Sequence, residues 1–203
     1  MKIICIGRNY ANHAKELNND LPEVPVIFLK PETALLPPGT PLAIPSFTQA
    51  LHYECELVMR IGIPGKHISE AAAQDHIDAI TLGIDFTARD VQDALKQKRL
   101  PWELAKAFDG SAAVGRFLPA TDFPDLTTIR FRLFKDALPV QEGHSADMLF
   151  SVPALIAFAS QYFTLQPGDL IFTGTPEGVG PVVAGNTLRG VLEHQDVLQV
   201  SIG

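Results

Sequence analysis

His52-Tyr53-Glu54-Cys55-Glu56-Leu57-Val58-Met59-Arg60-Ile61 is the stretch around which this chain is organised. Residues 53–61 read as a strand, stopped by Gly62 and Pro64. Toward the N-terminus, residues 26–30 and 3–7 read as two more strands. One or two helical turns at 10–17 and a polar, proline-bearing loop at 18–25 lie between them. Toward the C-terminus, residues 69–79 read as a helix with Ser69 as N-cap, and 80–85 as a short apolar strand. Thr87-Ala88-Arg89-Asp90 has capping-box form and opens a helix running to about Lys98. Residues 128–135 alternate Ile129, Phe131 and Leu133 with Arg130 and Arg132, a half-buried strand. Asp136-Ala137 turns it back into residues 138–141. Residues 151–163 form an apolar helix with Pro153 in its first turn, and Pro167-Gly168 suits a type II turn. Strands at 170–173, 187–192 and 197–202 close the chain. Strands outnumber helices, and the helices are scattered, so the expected fold is α+β and β-rich, in a single domain over 1–203.

The 203 residues are 46% hydrophobic and 19% charged, a globular profile, and the net charge of −7 comes without any basic run. That argues against a nucleic-acid partner and requires any anionic ligand to meet a local positive centre. Cys5 and Cys55 sit in apolar runs and read as reduced, buried thiols. No run approaches the length of a membrane span and no signal peptide opens the chain, so a cytosolic protein with no membrane partner is expected.

Glu54 and Glu56, two apart on a strand, share one face about 6.6 Å apart at the usual strand rise. Like charges that close need water or a cation between them. Asp85 ends the apolar run 80–84, where an unpaired carboxylate is costly. Three carboxylates suit a hard divalent cation such as Mg²⁺ or Mn²⁺. From spacing alone, a solvated strand face for the glutamates and a helix-entry cap for Asp85 explain them as well. His13 and Glu16, three apart in a helical turn, face the same side, as a general base and its orienting carboxylate would. An incidental surface pair is the competing explanation. Lys106, between Leu104-Ala105 and Ala107-Phe108, suits an oxyanion or carboxylate contact or a lysine snorkelling from a helix end. Gly174-Thr175-Pro176-Glu177-Gly178-Val179-Gly180 lacks the ending of a nucleotide-binding loop. It reads equally as a plain turn or as a loop whose amides approach a ligand, with Thr175 offering a hydroxyl.

Together these segments resemble the fumarylacetoacetate hydrolase family. The resemblance rests on the run from Gly7-Arg8-Asn9-Tyr10 to His13-Ala14-Lys15-Glu16, on Phe28-Leu29-Lys30-Pro31 and on His52 to Leu57. It continues through Gly83-Ile84-Asp85-Phe86-Thr87-Ala88-Arg89-Asp90-Val91-Gln92, Pro101-Trp102, Ala105 to Asp109 and the 174–180 loop. The likeness is to short, single-domain members such as acylpyruvases, fumarylpyruvate hydrolases and oxaloacetate decarboxylases. It implies a mixed-sheet β-roll, usually a homodimer, and Mg²⁺ or Mn²⁺ on Glu54, Glu56 and Asp85. It further implies that the His13/Glu16 segment orders over bound substrate, that Lys106 points into the site, and that Arg8, Gln92, Gly174 and Thr175 contact a small anionic oxo acid. The implied chemistry is hydrolysis of a carbon–carbon bond in an acylpyruvate or fumarylpyruvate through a metal-bound enolate. Oxaloacetate decarboxylation, or isomerisation or decarboxylation of a dienedioate, is the alternative on the same centre. Three departures stand out: Ala113 for a common proline, Arg99 for a frequent glycine, and Asp136-Ala137 for a more usual Asn-Gly turn.

Overall fold

The computed structural model describes residues 1–17 and 20–203; Asn18 and Asn19, the start of the expected loop, lie outside the described residues. The structure is β-rich with a few short helices and a curled mixed sheet. The main sheet runs β2 (Val26–Lys30), β1 (Ile3–Gly7), β11 (Leu170–Phe172), β4 (Cys55–Ile61), β5 (Ile77–Asp85), β7 (Ala112–Val114), with β8 (Leu118–Pro119) beside β5. Strands β1 and β11 pair in parallel, and among the described residues the other neighbours in this sheet pair antiparallel. A second sheet orders β10 (Leu138–His144), β9 (Arg130–Lys135), β13 (Thr187–Leu192) and β14 (Gln195–Ser201). A third, small sheet orders β12 (Gly180–Pro181), β3 (Leu51–Tyr53) and β6 (Thr87–Ala88). Ile4, Leu57, Met59, Ile80 and Leu82 from the main sheet pack with Phe131, Leu133, Leu188 and Val200 from the second into one core. On β9 the expected alternation holds: Phe131 and Leu133 are buried, Arg130 and Arg132 exposed.

Several boundaries differ from the sequence reading, each for a physical reason. The strand expected over 53–61 breaks at Glu54, because β3 belongs to the small sheet and β4 to the main one. The helix expected over 69–79 is a 3₁₀ segment, Glu70–His76, without a side-chain cap from Ser69; Ile77 already pairs with Ile61, so the strand takes the rest. The Thr87 capping box does not form. Thr87 pairs in β6 and its hydroxyl donates to Asp85 O, so the helix α2 (Arg89–Gln97) starts without a side-chain cap. Asp90 instead takes Thr48 Oγ1 and Gln49 N. Among the described residues the other α-helices are α1 (Ala11–Glu16), α3 (Glu103–Lys106) and α4 (Val152–Tyr162), the last capped by Ser151 as its sequence indicates. Arg99, Asp136 and Ala137, the departures noted above, have φ of 55°, 50° and 71°, the left-handed region that glycine occupies without strain.

Candidate active site

The break at Glu54 sets the geometry. Asp85 N donates to Glu54 O at 2.8 Å, and Glu56 lies across from Gly83, so the ends of β4 and β5 bring three acids together. Ligand oxygens of Glu54, Glu56 and Asp85 lie within 4.8 Å of one another, and all three residues are buried. They are neither a solvated strand face nor a helix cap.

Three buried cations surround them. Lys106, from α3, places Nζ 2.7 Å from Glu54 Oε2, 2.7 Å from Asp85 Oδ2 and 2.6 Å from Thr87 Oγ1. All three of its N–H groups are thus used inside the chain. Arg89 donates from Nη2 to Glu54 Oε1 and from Nη1 to Gln92 Oε1 at 2.6 Å. Lys30, from the end of β2, sits 2.7 Å from Asp85 Oδ1 as an ion pair off the line of a hydrogen bond. Its own N–H groups go to Lys106 O, Ser111 O and Ser111 Oγ.

The charges are unequally shared. Burial pushes the Glu54 carboxyl up, but Lys106 and Arg89 outweigh it and hold Glu54 well below the usual carboxylate range. Burial would lower Lys106, yet Asp85 and Glu54 hold it above its ordinary value, so it stays an ammonium. Glu56 is different. Its burial, and then the charges of Asp85 and Glu54, push it far up, and the 2.7 Å bond from Gly174 N offsets only part of that. Among the described residues, no cation pairs with Glu56.

That observation tests the fit of a metal. An all-oxygen donor set of three close carboxylates, one of them without a counter-charge, matches the demands of Mg²⁺ or Mn²⁺.

Above this floor lies a cavity of about 30 Å³ lined by Arg8, His13, Leu17, Phe28, Gln92, Lys96, Trp102 and Thr175 besides Glu54, Glu56, Asp85, Arg89 and Lys106. His13 is 6% exposed, and its Nδ1 lies 3.2 Å from Glu16 Oε2, which leaves Nε2 for the cavity. Glu16 Oε1 also accepts from Gly178 N at 3.1 Å, tying α1 to the glycine loop. The expected site residues therefore converge, with two qualifications of role. Gly174 is not among the cavity-lining residues; its φ of 96° and close approach to Asn9 serve the N–H that holds Glu56. The Thr175 hydroxyl donates to Cys55 O at 2.8 Å and accepts from Gln141 Nε2 at 2.8 Å, so its proton is already committed.

Lys30, Arg89 and Gln141 were not singled out from sequence. Lys30 reads as the polar end of a strand, Arg89 as part of a capping box, and Gln141 as the end of a hairpin. Gln141 is buried and joins the second sheet to the site, accepting from Cys55 N at 2.9 Å and donating to Thr175 Oγ1 and Pro176 O. A charge-balance argument would have found Lys30 and Arg89, since three buried acids require nearby cations.

A β-rich roll carrying a buried three-carboxylate centre under an imidazole–carboxylate pair is the arrangement of a metal-dependent enzyme. Residues 2–203 match the family described as Fumarylacetoacetate (FAA) hydrolase C-terminal, and the chain belongs to that family. It is 46% identical over 187 residues to a mitochondrial oxaloacetate tautomerase of Bos taurus, covering 92% of this chain and 85% of the relative. It is 42% identical over 189 residues to a mitochondrial oxaloacetate decarboxylase of Dictyostelium discoideum, covering 93% and 87%. The crystal structure of fumarylpyruvate hydrolase from Pseudomonas aeruginosa in complex with Mn²⁺ and pyruvate superimposes with a TM-score of 0.92 at 36% identity, covering 100% of this chain and 90% of that one. No helix among the described residues is long and apolar enough to cross a membrane.

Proposed function

We propose that this chain is a divalent-metal-dependent oxaloacetate tautomerase. The observation that carries the reading is an imidazole, oriented by its own carboxylate, facing a cavity whose three acidic side chains include one with no cation partner. The mitochondrial relative named for this activity supports it. Glu54, Glu56 and Asp85 would hold Mg²⁺ or Mn²⁺. When bound, the cation supplies Lewis acidity, drawing off negative charge from the oxygens of a 2-oxo acid.

The chain's own groups do the rest. Glu16 fixes the His13 ring through Nδ1, so Nε2 is the atom that delivers or removes the proton at C3 of the substrate. One proton leaves the enol oxygen and one arrives at C3, so the interconversion needs no co-reactant. General acid–base help of this kind is worth about 10²–10⁴ in rate. Arg89 occupies the amide oxygen of Gln92, which leaves the Gln92 N–H groups to donate to substrate oxygen. Lys106 keeps Glu54 ionised and also donates to Asp85.

Hydrolysis of an acylpyruvate, the first expectation from sequence, is the second reading, and the likeness to fumarylpyruvate hydrolase supports it. There the same His13–Glu16 pair would take a proton from water. Decarboxylation of oxaloacetate follows in the same cavity if the distal carboxylate leaves as CO₂, as the name of the Dictyostelium relative invites. Ketonisation of enol-oxaloacetate, CO₂ release, and cleavage of acetylpyruvate and fumarylpyruvate, each measured with Mn²⁺, Mg²⁺ and EDTA, decide among them. The expected result is metal-dependent ketonisation faster than the other reactions. Faster acylpyruvate cleavage would move the assignment to the second reading, and inactivity on all substrates would overturn both.

A further inference from the structure

Lys30, Arg89 and Lys106 are the counter-charges of the buried acids. Two further cations line the same cavity without that role. Arg8 follows β1 with φ of 61°, a conformation that L side chains avoid, and its guanidinium lies over the Trp102 ring at 5.7 Å. Lys96 comes from the last turn of α2 and is half-buried. Burial pulls its ammonium below the ordinary value, Asp93 opposes that, and Arg8 and Arg89 add to the lowering. Among the described residues, neither Arg8 nor Lys96 forms an ion pair. A chain of net charge −7 has acids to spare, so two cations held at one cavity without an ion pair mark a place for an anion.

A second observation gives that place its extent. A wider cleft of about 340 Å³ shares Leu17, Arg89 and Lys96 with the central cavity. Its other walls carry Glu16 and Asp93. An anionic tail leaving the centre therefore meets Arg8 and Lys96 first, and repulsive carboxylates beyond them. The Arg8 guanidinium rests against Trp102 as a cation–π contact, and a guanidinium can meet a carboxylate at two points.

We infer that Arg8 and Lys96 form a subsite for a second carboxylate, which makes the enzyme selective for short 2-oxo dicarboxylic acids over 2-oxo acids with neutral tails. This rests on the oxaloacetate reading for its substrate, but it is tested by binding rather than turnover. The Mn²⁺-loaded protein is titrated with pyruvate, which has one carboxylate, and with 3,3-difluorooxaloacetate, a non-enolisable dianion. The wild type should bind the dianion tighter than pyruvate by about tenfold or more, as expected for charge-assisted hydrogen bonds. Lys96→Met and Arg8→Gln should each remove most of that preference and leave pyruvate binding within about twofold. Lys98→Met, on the exposed end of the same helix, should leave the preference intact. Equal binding of the two ligands by the wild type, or a preference that persists in both variants, overturns the subsite. A preference that disappears as expected, in a protein that does not convert oxaloacetate, overturns the tautomerase reading and leaves the subsite standing.

Discussion

The floor of the cavity and its rim are built on different principles. On the floor, Lys30, Asp85, Glu56 and Lys106 are each 3% exposed or less, and every charged group is held from at least one side by another buried element. At the rim, His13 rests on one contact to Glu16, Glu16 on one amide of an exposed loop, and Arg8 and Lys96 on no charged partner. Moving a floor group strands a buried charge, whereas moving a rim group breaks one partly solvated contact. The difference teaches that the three-acid centre is fixed by burial in this fold, while the groups above it can change at little cost in stability.

The comparison breaks if floor variants are mild. Glu56→Gln removes a donor oxygen without changing shape, and turnover of oxaloacetate with Mn²⁺ should fall by about 10³-fold or more, with metal uptake lost in parallel titrations. Lys30→Met leaves Asp85 with one fewer buried counter-charge and should cost about 3–5 kcal/mol in urea unfolding, although Lys30 is not among the cavity-lining residues. The rim should behave oppositely. His13→Ala should lower turnover about a hundredfold while unfolding free energy and Mn²⁺ affinity stay close to wild type.

Acidity sharpens the contrast. In the metal-free protein Glu56 holds its proton above the ordinary carboxyl value of 4.5, whereas in the unfolded chain it does not. Folding thus takes up a proton above about pH 4.5, and stability of the EDTA-treated protein should fall as pH rises from there, by at most about 1.4 kcal/mol per pH unit. Glu54 works the other way, contributing stability above that value and losing it as pH falls toward its lowered titration. Saturating Mn²⁺ should abolish the alkaline slope and leave the acid one, which thermal melts across pH would reveal. The smallest effect lies far from the site. Ala137→Gly relieves a left-handed residue at φ 71° and should stabilise the protein by about 0.5–1 kcal/mol with no change in kinetics.

The sequence made the acids, the His13–Glu16 pair and Lys106 readable because each is a charged residue in a conspicuous local setting. It also gave the β-rich class, since the turn residues and alternation survive in the fold. Lys30, Arg89 and Gln141 stayed hidden because the partners that explain them, Ser111, Glu54 and Cys55, lie 81, 35 and 86 residues away in chain order. The break at Glu54 was hidden for the same reason: it arises from two sheets competing for one segment, which no local pattern records. Thr87 shows the reverse failure, where a convincing capping box gave way to a strand pairing and a lysine.

Lys30 also bears on how the chain assembles. It sits at the end of the edge strand β2, joined to β1 by five paired residues, yet its ammonium neutralises an acid that β5 carries on the far side of the sheet. Peeling that edge strand away would expose a positive group to water and leave the buried Asp85 with Lys106 as its remaining counter-charge. Partial unfolding from this edge is therefore penalised, and amide exchange in β2 should be slow and concerted with the interior strands rather than frayed like an ordinary sheet margin.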